Sequence, residues 1–497
     1  MPSERESNVP MAIPAVSANE ERDIEPHPGC NCSRRRKATR TARLLTDNLV
    51  IASRARAREP ELPEATVAHA LATPVSARPA RYDVIMLPGA TEGTETGARI
   101  AAEFARREHR VFHYLAHPRA ERRPAAPTLH RLTWPDASAS PAQSLETLAS
   151  LRRSHAIEAA ALFVPATFDL SIATEIRRRW GWRIIIPASA PKSLTSVADI
   201  RVIGTGDQTS AANHRDVVLA EGATWPERWA ALDRTLRGSW PRTSIIVVTW
   251  DNLAFTRLCL TSIIENTEYP NYELIVVDNG STDGTVEELQ RLARDIPQVR
   301  VVLNDHNAGF GPANNQGLAA ATGDIFVLLN NDTVVPRGWL TRLARHLDNP
   351  ALGLLGPGTN RTCNEAQIDV EYQTYGEYQT VARGLTERHE GERHPIRMPM
   401  MFCLAFRRDT YDRLGPIDER YEVGMFEDED YALRAKAAGL EVSWTPEVYI
   451  HHAYHASIGK LLPTGEYMRL VKLNQGRFEE KWGICWERHR PVPAQAS

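Results

Sequence analysis

An apolar run that is typical of a buried strand ends in three adjacent polar residues, Asn330, Asn331 and Asp332, within the stretch FVLLNNDTVVP. If the strand continues through them, Asn330 and Asp332 point to the same side of the sheet, because side chains alternate along a strand. A carboxylate beside an amide oxygen suits a hard cation such as Mg²⁺ or Mn²⁺, which also takes water and phosphate oxygens as ligands. A plain Asn/Asp turn is the alternative for this stretch taken alone.

The acidic run MFEDEDYALRAKAAG holds a second group of residues able to do chemistry. Glu427, Asp428 and Asp430 open a predicted helix, where carboxylates are also favoured simply by the helix dipole. One carboxylate can serve as a general base, and another can pair with Arg434 one turn further on. The run therefore indicates either a helix start or a proton-transfer site.

Two other segments place polar side chains at predicted strand ends. VVDNGSTDGT carries Asp278 at the end of a strand, followed by Asn-Gly and Asp-Gly turns into a helix. Asp278 can accept hydrogen bonds from a base or a ribose hydroxyl, or belong to an ordinary strand–turn–helix. VYIHHAYH predicts a strand ending in His451 and His452, where an imidazole is a candidate cation ligand.

These residues lie on a regular alternation of predicted strands and helices. From Ser244 onwards, SIIVVT, ELIVVD, RVVLN and IFVLLN are predicted strands, and they end in Thr249, Asp278, Asn304 and Asn330. Ligands of open α/β sheets bind beyond the carboxyl ends of the strands. Four polar strand ends in series therefore predict one crevice.

The length of 497 residues predicts two or more domains. Residues 1–80 are predicted to be a basic tail, disordered or partly helical, and residues 81–205 an α/β domain with a parallel, Rossmann-like sheet. A linker is predicted at 206–241 and a second α/β domain at 242–490. In the first domain, Gly89, Gly93 and Gly97 follow a strand without the GxGxxG spacing of a nucleotide fingerprint.

Composition argues against several classes of protein. The net charge of -3 gives no sign of nucleic-acid binding, and no apolar run approaches the roughly 20 residues that span a bilayer. Six scattered cysteines suit a reducing compartment better than a disulfide framework. We therefore expect the protein in the cytoplasm or peripherally at the inner face of the cytoplasmic membrane.

The ordered motifs, over about Pro241 to His489, resemble the family-2 glycosyltransferases with the GT-A (nucleotide-diphospho-sugar transferase) fold. The residues that carry the resemblance are SIIVVTWDN, VVDNGSTDGT, NAGFGPANNQGLAAATGD, LLNNDT, FEDEDYALRAKAAG and HH. LGPGTNRTCNEAQ and FEEKWG look similar to a bacterial branch that attaches sugars during cell-surface polysaccharide assembly. Segments YDVIMLPG, FARREHRVFHYL and WGWRIII are similar to the front half of a GT-B transferase, which implies a degenerate accessory domain.

The resemblance implies roles for individual positions. The residues implied to bind the nucleotide sugar are Thr249, Asp251, Asp278, Asn307, Gly309, Asn314, Asn330 and Asn331. Asp332 is the implied metal ligand, and Asp428 is the implied catalytic base. His452 is the implied second metal ligand because of its spacing from Asp428, and His451 is the alternative. Glu427, Asp430 and Arg434 are supporting residues. Asn330 replaces the first acid of the family's Asp-x-Asp metal motif.

The function implied is that of an inverting glycosyltransferase dependent on Mg²⁺ or Mn²⁺. Its donor is a nucleotide-diphospho-sugar, and its acceptor is a hydroxyl of a glycan or lipid-linked saccharide. One alternative is a nucleotidyltransferase, but TWDNLAFTR lacks the glycine-rich loop that such an enzyme needs after its first strand. Another is an inactive nucleotide-sugar-binding module, against which Asp332, Asp428 and His452 argue.

Overall fold

The structure is a computed structural model that describes most of the chain. The described residues are 45–47, 49–53, 64–73, 75, 82–88, 94–106, 109–115, 128–133, 140–187, 189–203, 216–218, 225–453 and 465–487. The basic run at 34–43 and the predicted glycine turn at Gly89 and Gly93 lie outside them. All described residues belong to one compact unit.

Part of the predicted tail is folded. The described residues before 80 include a strand, β1 (Val50–Ser53), and a helix, α1 (Glu64–Ala72). The sequence predicted a helix at most in this region. We refer to residues 45–75 as the N-terminal arm.

The first α/β region contains a parallel sheet of seven strands within the described residues, in the order β4-β3-β2-β5-β6-β7-β8. The strands are β2 (Asp83–Met86), β3 (Val111–Leu115), β4 (Leu129–Thr133), β5 (Ala160–Phe163), β6 (Arg183–Pro187), β7 (Ile200–Ile203) and β8 (Asp216–Val218). The helices are α2 (Thr94–Arg106), α3 (Pro141–His155), α4 (Leu170–Trp180), α5 (Lys192–Thr195) and α6 (Trp225–Gly238). This is a doubly wound strand order, with its reversal between β2 and β5. The Rossmann-like fold is as predicted, whereas β4, β7 and β8 were not predicted.

The second α/β region contains a mixed sheet in the order β11-β10-β9-β12-β17-β14-β18-β13, with β16 paired to β18. Its strands, with the separate β15, are β9 (Thr243–Thr249), β10 (Tyr272–Asp278), β11 (Val299–Leu303), β12 (Ile325–Asn330), β13 (Thr333–Val334), β14 (Leu352–Thr359), β15 (Tyr372–Thr374), β16 (His394–Pro395), β17 (Cys403–Arg407) and β18 (Glu441–His452). The helices are α7 (Leu253–Asn266), α8 (Thr285–Asp295), α9 (Phe310–Ala320), α10 (Trp339–His346), α11 (Tyr375–Arg388), α12 (Arg408–Leu414), α13 (Glu427–Ala437) and α14 (Glu466–Trp482).

The direction of the strands brings the predicted site residues to one edge. Strands β9 to β12 are mutually parallel, and β17 is antiparallel to both β12 and β14. Because β18 is parallel to β14, its carboxyl end lies at the same edge as those of β9 to β12. The predicted strands of this region are confirmed, and their polar ends meet at one edge as expected.

Both faces of the mixed sheet are buried, as continuous apolar strands require. Alternate residues of β9 belong to different clusters, with Ile245 and Val247 on one side and Ile246 on the other. The first cluster continues into the Rossmann-like region through Trp240 and Val84, so the two α/β regions share one core. Among the described residues, no helix is both long and apolar enough to cross a membrane.

Strand β1 and helix α1 of the N-terminal arm pack on the second α/β region. Strand β1 pairs antiparallel with β15, and the amide of Tyr375 donates to the carbonyl of Leu49 over 2.7 Å. Leu45, Leu49 and Ile51 join Tyr372 in one buried cluster. The arm therefore contributes to the core of the second α/β region, although the Rossmann-like region lies between the two in the sequence.

Candidate active site

Asp332 and His452 lie together at the carboxyl edge of the mixed sheet. The Nε2 atom of His452 is 3.3 Å from Oδ1 of Asp332, and both side chains are buried. The His452 ring stacks on Phe402 with centroids 4.7 Å apart. Asn360 fixes the backbone of His452 on both sides, since its Oδ1 accepts from the His452 amide and its Nδ2 donates to the His452 carbonyl. The imidazole is thus held in place by packing and by the backbone.

His451 faces away from this pair. Its Nδ1 lies 2.6 Å from the hydroxyl of Tyr372, and its ring packs against Tyr372 and Tyr378. Burial, and then the charge of His452, lower the pKa of His451 to about 3. His451 is therefore a neutral member of an aromatic cluster, and the geometry favours His452 as the ligand beside Asp332.

Of the two alternatives that the sequence left open for this stretch, the structure shows the turn. The strand ends at Asn330, and Asn331 and Asp332 form a turn before β13. The buried Asn331 turns its Nδ2 inward, donating to the hydroxyls of Thr249 and Thr256 over 3.1 and 3.0 Å. Asn330 contributes its carbonyl to the same turn by accepting from the hydroxyl of Thr333. The side chains of Asn331 and Thr249 therefore bind each other beneath the site edge.

The loops after β9 and β10 are bound to each other. Asp251, in the left-handed region at φ 53, accepts from the amide of Thr282 over 2.8 Å. Asp278 accepts from the amides of Gly280 and Ser281 through Oδ2, which makes a tight turn. The other oxygen, Oδ1, is buried and has no hydrogen-bond partner within the described residues. Asp278 therefore has one buried carboxylate oxygen available to a ligand.

Asn279, which the sequence did not single out, connects the β10 turn to the β11 turn. Its Nδ2 donates to Oδ1 of Asn307 over 2.8 Å and to the carbonyl of Gly309 over 3.1 Å. Its Oδ1 accepts from Nδ2 of Asn304 and from the amide of Ala308. The available sequence signal was the position of Asn279 directly after Asp278 in an Asn-Gly turn. Because this pattern is also typical of an ordinary turn, it did not indicate the hydrogen-bond network.

The glycine turn before α9 contacts the loop before the acidic helix. Gly309 has φ 96, and a β-carbon on it would lie 3.4 Å from the amide nitrogen of Val423. Asn314, one turn into α9, is buried and donates from Nδ2 to the carbonyl of Phe310. The predicted floor of the donor site therefore touches the segment that leads to Asp428.

The four acids of the first turn of α13 fall into two pairs. Glu429 is bound by Arg397 at 3.1 Å, and Asp430 by Arg434 at 3.0 Å and by Lys481 at 2.5 Å. Trp486 and Trp482 add indole hydrogen bonds to Glu429 and Asp430. The charges of Glu429 and Asp430 are thus neutralised. Asp430 is the carboxylate of this run that pairs with Arg434.

Glu427 and Asp428 form the other pair, for which no Lys, Arg or His lies at ion-pair distance in the described part of the chain. Both are buried, and Oδ1 of Asp428 accepts from the amide of Glu429. Burial, and then the charge of Glu429, raise the pKa of Asp428 well above its ordinary range. Burial, and then the charge of Asp428, raise the pKa of Glu427. A carboxyl that titrates near neutrality suits proton transfer.

The chain enters α13 through a strained turn. Val423, Gly424, Met425 and Phe426 all have positive φ, at 64°, 135°, 79° and 76°. The left-handed region costs roughly 1–2 kcal/mol for a residue other than glycine. Such strain persists where the surroundings impose it, and it is concentrated at functional sites.

The candidate cation pair falls short of a complete protein cage. Within the described residues, no group of three His, Cys, Asp or Glu side chains is arranged to hold an ion. Asp332 and His452 could supply two ligands. Two ligands in adjacent positions of an octahedral site with bonds of about 2.1 Å lie about 3 Å apart, close to their separation here.

Comparisons with known proteins bear on the second α/β region. Residues 244–415 match the family model described as Glycosyl transferase family 2. The protein y4gI of Sinorhizobium fredii is 29% identical over 230 residues, which cover 44% of this chain and 25% of that protein. The O-antigen biosynthesis protein RfbC of Myxococcus xanthus is 28% identical over 247 residues, covering 47% of this chain and 19% of that protein. The chain thus spans a quarter or less of the length of these two relatives.

A solved structure is also similar to part of the chain. The mannosyltransferase PcManGT from Pyrobaculum calidifontis, in complex with GDP-Man and Mn²⁺, has 21% sequence identity and a TM-score of 0.36, covering 48% of this chain and 64% of that one. The family match and the mixed sheet with its crevice at the carboxyl edge agree with each other. The C-terminal α/β region of the chain therefore contains a glycosyl transferase family 2 domain, matched over residues 244–415.

Proposed function

We propose that the protein is an inverting glycosyltransferase that moves a sugar from a nucleotide-diphospho-sugar to a hydroxyl of a glycan or lipid-linked acceptor during surface polysaccharide synthesis. The observation that carries the proposal is the set of side chains at and near the carboxyl edge of the mixed sheet. The carboxylate–imidazole pair of Asp332 and His452 lies at this edge. The buried carboxyl of Asp428, which lacks a cation partner in the described structure, opens α13, a helix that packs on β14 and β18 and whose preceding turn approaches Gly309.

The donor set at Asp332 fits Mg²⁺ or Mn²⁺. A carboxylate and an imidazole 3.3 Å apart leave the remaining ligand positions to water and to the donor's diphosphate. A divalent ion held there would supply electrostatic stabilisation of the negative charge on the departing diphosphate. Asn330, as a neutral residue, lowers the negative charge of this site relative to a second acid.

The proton transfer follows from the environment of Asp428. Its carboxylate accepts the proton of the acceptor hydroxyl while that oxygen forms a bond to the anomeric carbon. The bond from this carbon to the diphosphate breaks on the opposite face, and the diphosphate leaves with the electron pair. One displacement inverts the anomeric configuration, and the leaving group needs no protonation, unlike that of a glycosidase.

The loops after β9, β10 and β11 are proposed to bind the nucleotide. Asp278 offers its buried Oδ1 to a base or a ribose hydroxyl, while Asp251 and Asn307 fix the loops around it. Asn331 and Thr249 face inward and hydrogen-bond to each other. Their proposed effect on donor binding is therefore indirect, because they set the shape of the loop. The cytoplasm, or the inner face of the cytoplasmic membrane, is the proposed place of action.

The proposal is tested by measuring nucleoside diphosphate release from a panel of UDP-, GDP- and dTDP-sugars with Mg²⁺ or Mn²⁺. We expect release from at least one donor, its loss on chelation, and its restoration by added Mn²⁺. With an acceptor in hand, NMR of the product glycoside should show the opposite anomer to the donor. If no donor releases its nucleoside diphosphate, the proposal is contradicted. If chelation leaves turnover unchanged, the proposed metal requirement is contradicted.

A further inference from the structure

The turn that delivers Asp428 to the site does not hold its shape through its own hydrogen bonds alone. Four consecutive residues, 423–426, have positive φ, and three of them carry side chains that disfavour this conformation. Val423 is the most unusual of them because it is β-branched. Helix α13 begins directly after this turn and carries Asp428 at its second position. The conformation of the turn therefore sets the position of the proposed base.

The contact that holds the turn comes from the C-terminal helix α14. The side chain of Asn474 is fully buried in the middle of this helix. Its Nδ2 lies 2.9 Å from the carbonyl oxygen of Gly424, 3.2 Å from that of Glu422 and 3.4 Å from that of Met425. One amide group thus faces two carbonyl oxygens of the strained turn and that of Glu422, the residue just before it.

Arg477, one turn further along α14, fixes the orientation of this amide. Its Nη1 donates to Oδ1 of Asn474 over 3.2 Å and to the carbonyl of Arg420, and its Nη2 donates to Oε1 of Glu422 over 2.7 Å. Because the arginine can only donate, the oxygen of the Asn474 amide must face it and the NH₂ group must face the turn.

The same face of α14 also binds the first turn of α13. Lys481, seven residues after Asn474, contacts Asp418 at 2.7 Å and Asp430 at 2.5 Å. Trp482 donates to Asp430 from its indole nitrogen. Helix α14 therefore holds the turn and the helix start as one unit, while leaving Asp428 without a cation.

We propose that Asn474 is a positioning residue for the transfer reaction. It stabilises the left-handed turn at 423–426 and thereby holds Asp428 in place for proton transfer, oriented by Arg477. This inference rests on the proposed function for its catalytic part. It assigns to the C-terminal helix a role in setting the rate of the reaction, in addition to its packing against Phe426 through Phe478.

Asn474→Asp tests this role because it keeps the size of the side chain and replaces the donor group by an acceptor. We expect kcat to fall at least tenfold, with the KM for the donor and the half-saturating Mn²⁺ concentration changed less than twofold. The acid limb of the kcat–pH profile should move towards lower pH, since a loosened turn exposes Asp428 to water. Gln475→Ala is the matched control on the same helix, because the side chain of Gln475 hydrogen-bonds only to Glu479 among the described residues.

Arg477→Met is the second variant, which leaves Asn474 in place but removes the group that orients it. We expect a smaller loss of kcat in the same direction. Loss of folded protein alone would lower the active fraction without moving the pH limb, and that result overturns the inference. An unchanged kcat in both variants also overturns it.

Hydrogen–deuterium exchange separates this inference from the proposed function. In Asn474→Asp, the amides of residues 422–430 should exchange faster, whereas those of β9 and β10 should keep the parent rate. Unchanged exchange at 422–430 overturns the role of Asn474 whatever the activity. A parent protein without turnover on any donor overturns the proposed function and the catalytic part of this inference, even if exchange at 422–430 changes.

Discussion

Asp332 and His452 face each other across the pairing of β13 with β18. The backbone of Thr333 is the register partner of His452, and this pairing brings Nε2 of the imidazole to 3.3 Å from Oδ1 of Asp332. Two residues 120 positions apart in sequence are thereby placed at the separation of neighbouring ligands of one ion.

His452→Ala should weaken the response of the enzyme to divalent ions. Removal of one of the two proposed protein ligands should raise the half-saturating Mn²⁺ concentration by roughly tenfold or more, by comparison with the effect of losing groups that merely support a ligand. Titration of nucleoside diphosphate release with Mn²⁺ measures this.

Tyr372→Phe is the matched control for that experiment. It removes the hydroxyl that contacts His451, on the other side of the strand, and should lower stability by about 1 kcal/mol without moving the Mn²⁺ titration. An equal shift in the two variants would contradict the assignment of His452.

Asp428→Asn should lower kcat by about 10²- to 10⁴-fold, which is the usual contribution of a general base. Because burial raises the pKa of Asp428, the parent should lose kcat as the pH falls through the neutral range, and not only near pH 4. A pH–rate profile of the parent checks this. A flat profile from pH 8 down to about pH 5 would show that another group accepts the proton.

Glu427→Gln should stabilise the folded protein at alkaline pH. The raised pKa of Glu427 means that the folded state binds its proton more tightly than the unfolded state, in which a glutamate has a pKa of about 4.3. Stability of the parent therefore falls as the pH rises from about 4.3 towards the folded pKa, and the glutamine variant avoids this loss. The Tm advantage of the variant should grow between pH 5 and pH 8.

Glu429→Gln is the control for this measurement, because it lies in the same helical turn but is bound by Arg397. It should show no such gain, since the substitution removes an ion pair. A Tm gain for Glu429→Gln equal to that of Glu427→Gln would contradict the distinction between the two pairs of acids.

Glu447→Gln should destabilise the junction between the two α/β regions. Burial by itself would raise the pKa of Glu447, but the hydrogen bond to His346 and the charge of Arg345 outweigh it and lower the pKa to about 2. Arg342, near Glu447, is also bound to Glu158 of the Rossmann-like region. Removal of one charge from a buried pair costs about 3–5 kcal/mol, which urea unfolding at pH 7 would measure.

The pH dependence of this effect has a definite sign. Because the folded pKa is depressed, the stabilisation by Glu447 is present above about pH 4.3 and is lost as the pH falls towards 2. The difference between parent and variant should therefore narrow over that range. Glu441→Gln, on the same strand but half exposed and paired with Arg393, should change stability by less than about 1 kcal/mol at any pH.

The sequence predicted the parts of the site that depend on local pattern. The polar residues after four apolar strands meet at one edge because parallel strands align their carboxyl ends, and this rule needs no knowledge of distant contacts. The direction of Asn331 was missed because a turn at the end of β12 breaks the strand alternation.

Long-range contacts account for the rest of what was missed. Asn474 lies about 50 positions from the turn that it binds, within a helix whose sequence shows only an ordinary amphipathic surface. The pairing of β1 with β15 joins segments over 300 positions apart. Neither contact leaves a periodic signal, because each depends on how separate elements pack.

Deletion of residues 1–75 should lower the stability of the glycosyl transferase family 2 domain. The N-terminal arm supplies β15 with its strand partner and buries Leu45, Leu49 and Ile51 against that domain. Each buried aliphatic side chain contributes about 1.5–3 kcal/mol, so their loss should produce a clear fall in Tm. Deletion of residues 1–44 is the matched control, since it leaves all these contacts in place. Ile51→Asp in the full chain should lower the Tm in the same direction, and equal Tm values for the two deletions would show that the domain is stable without the arm.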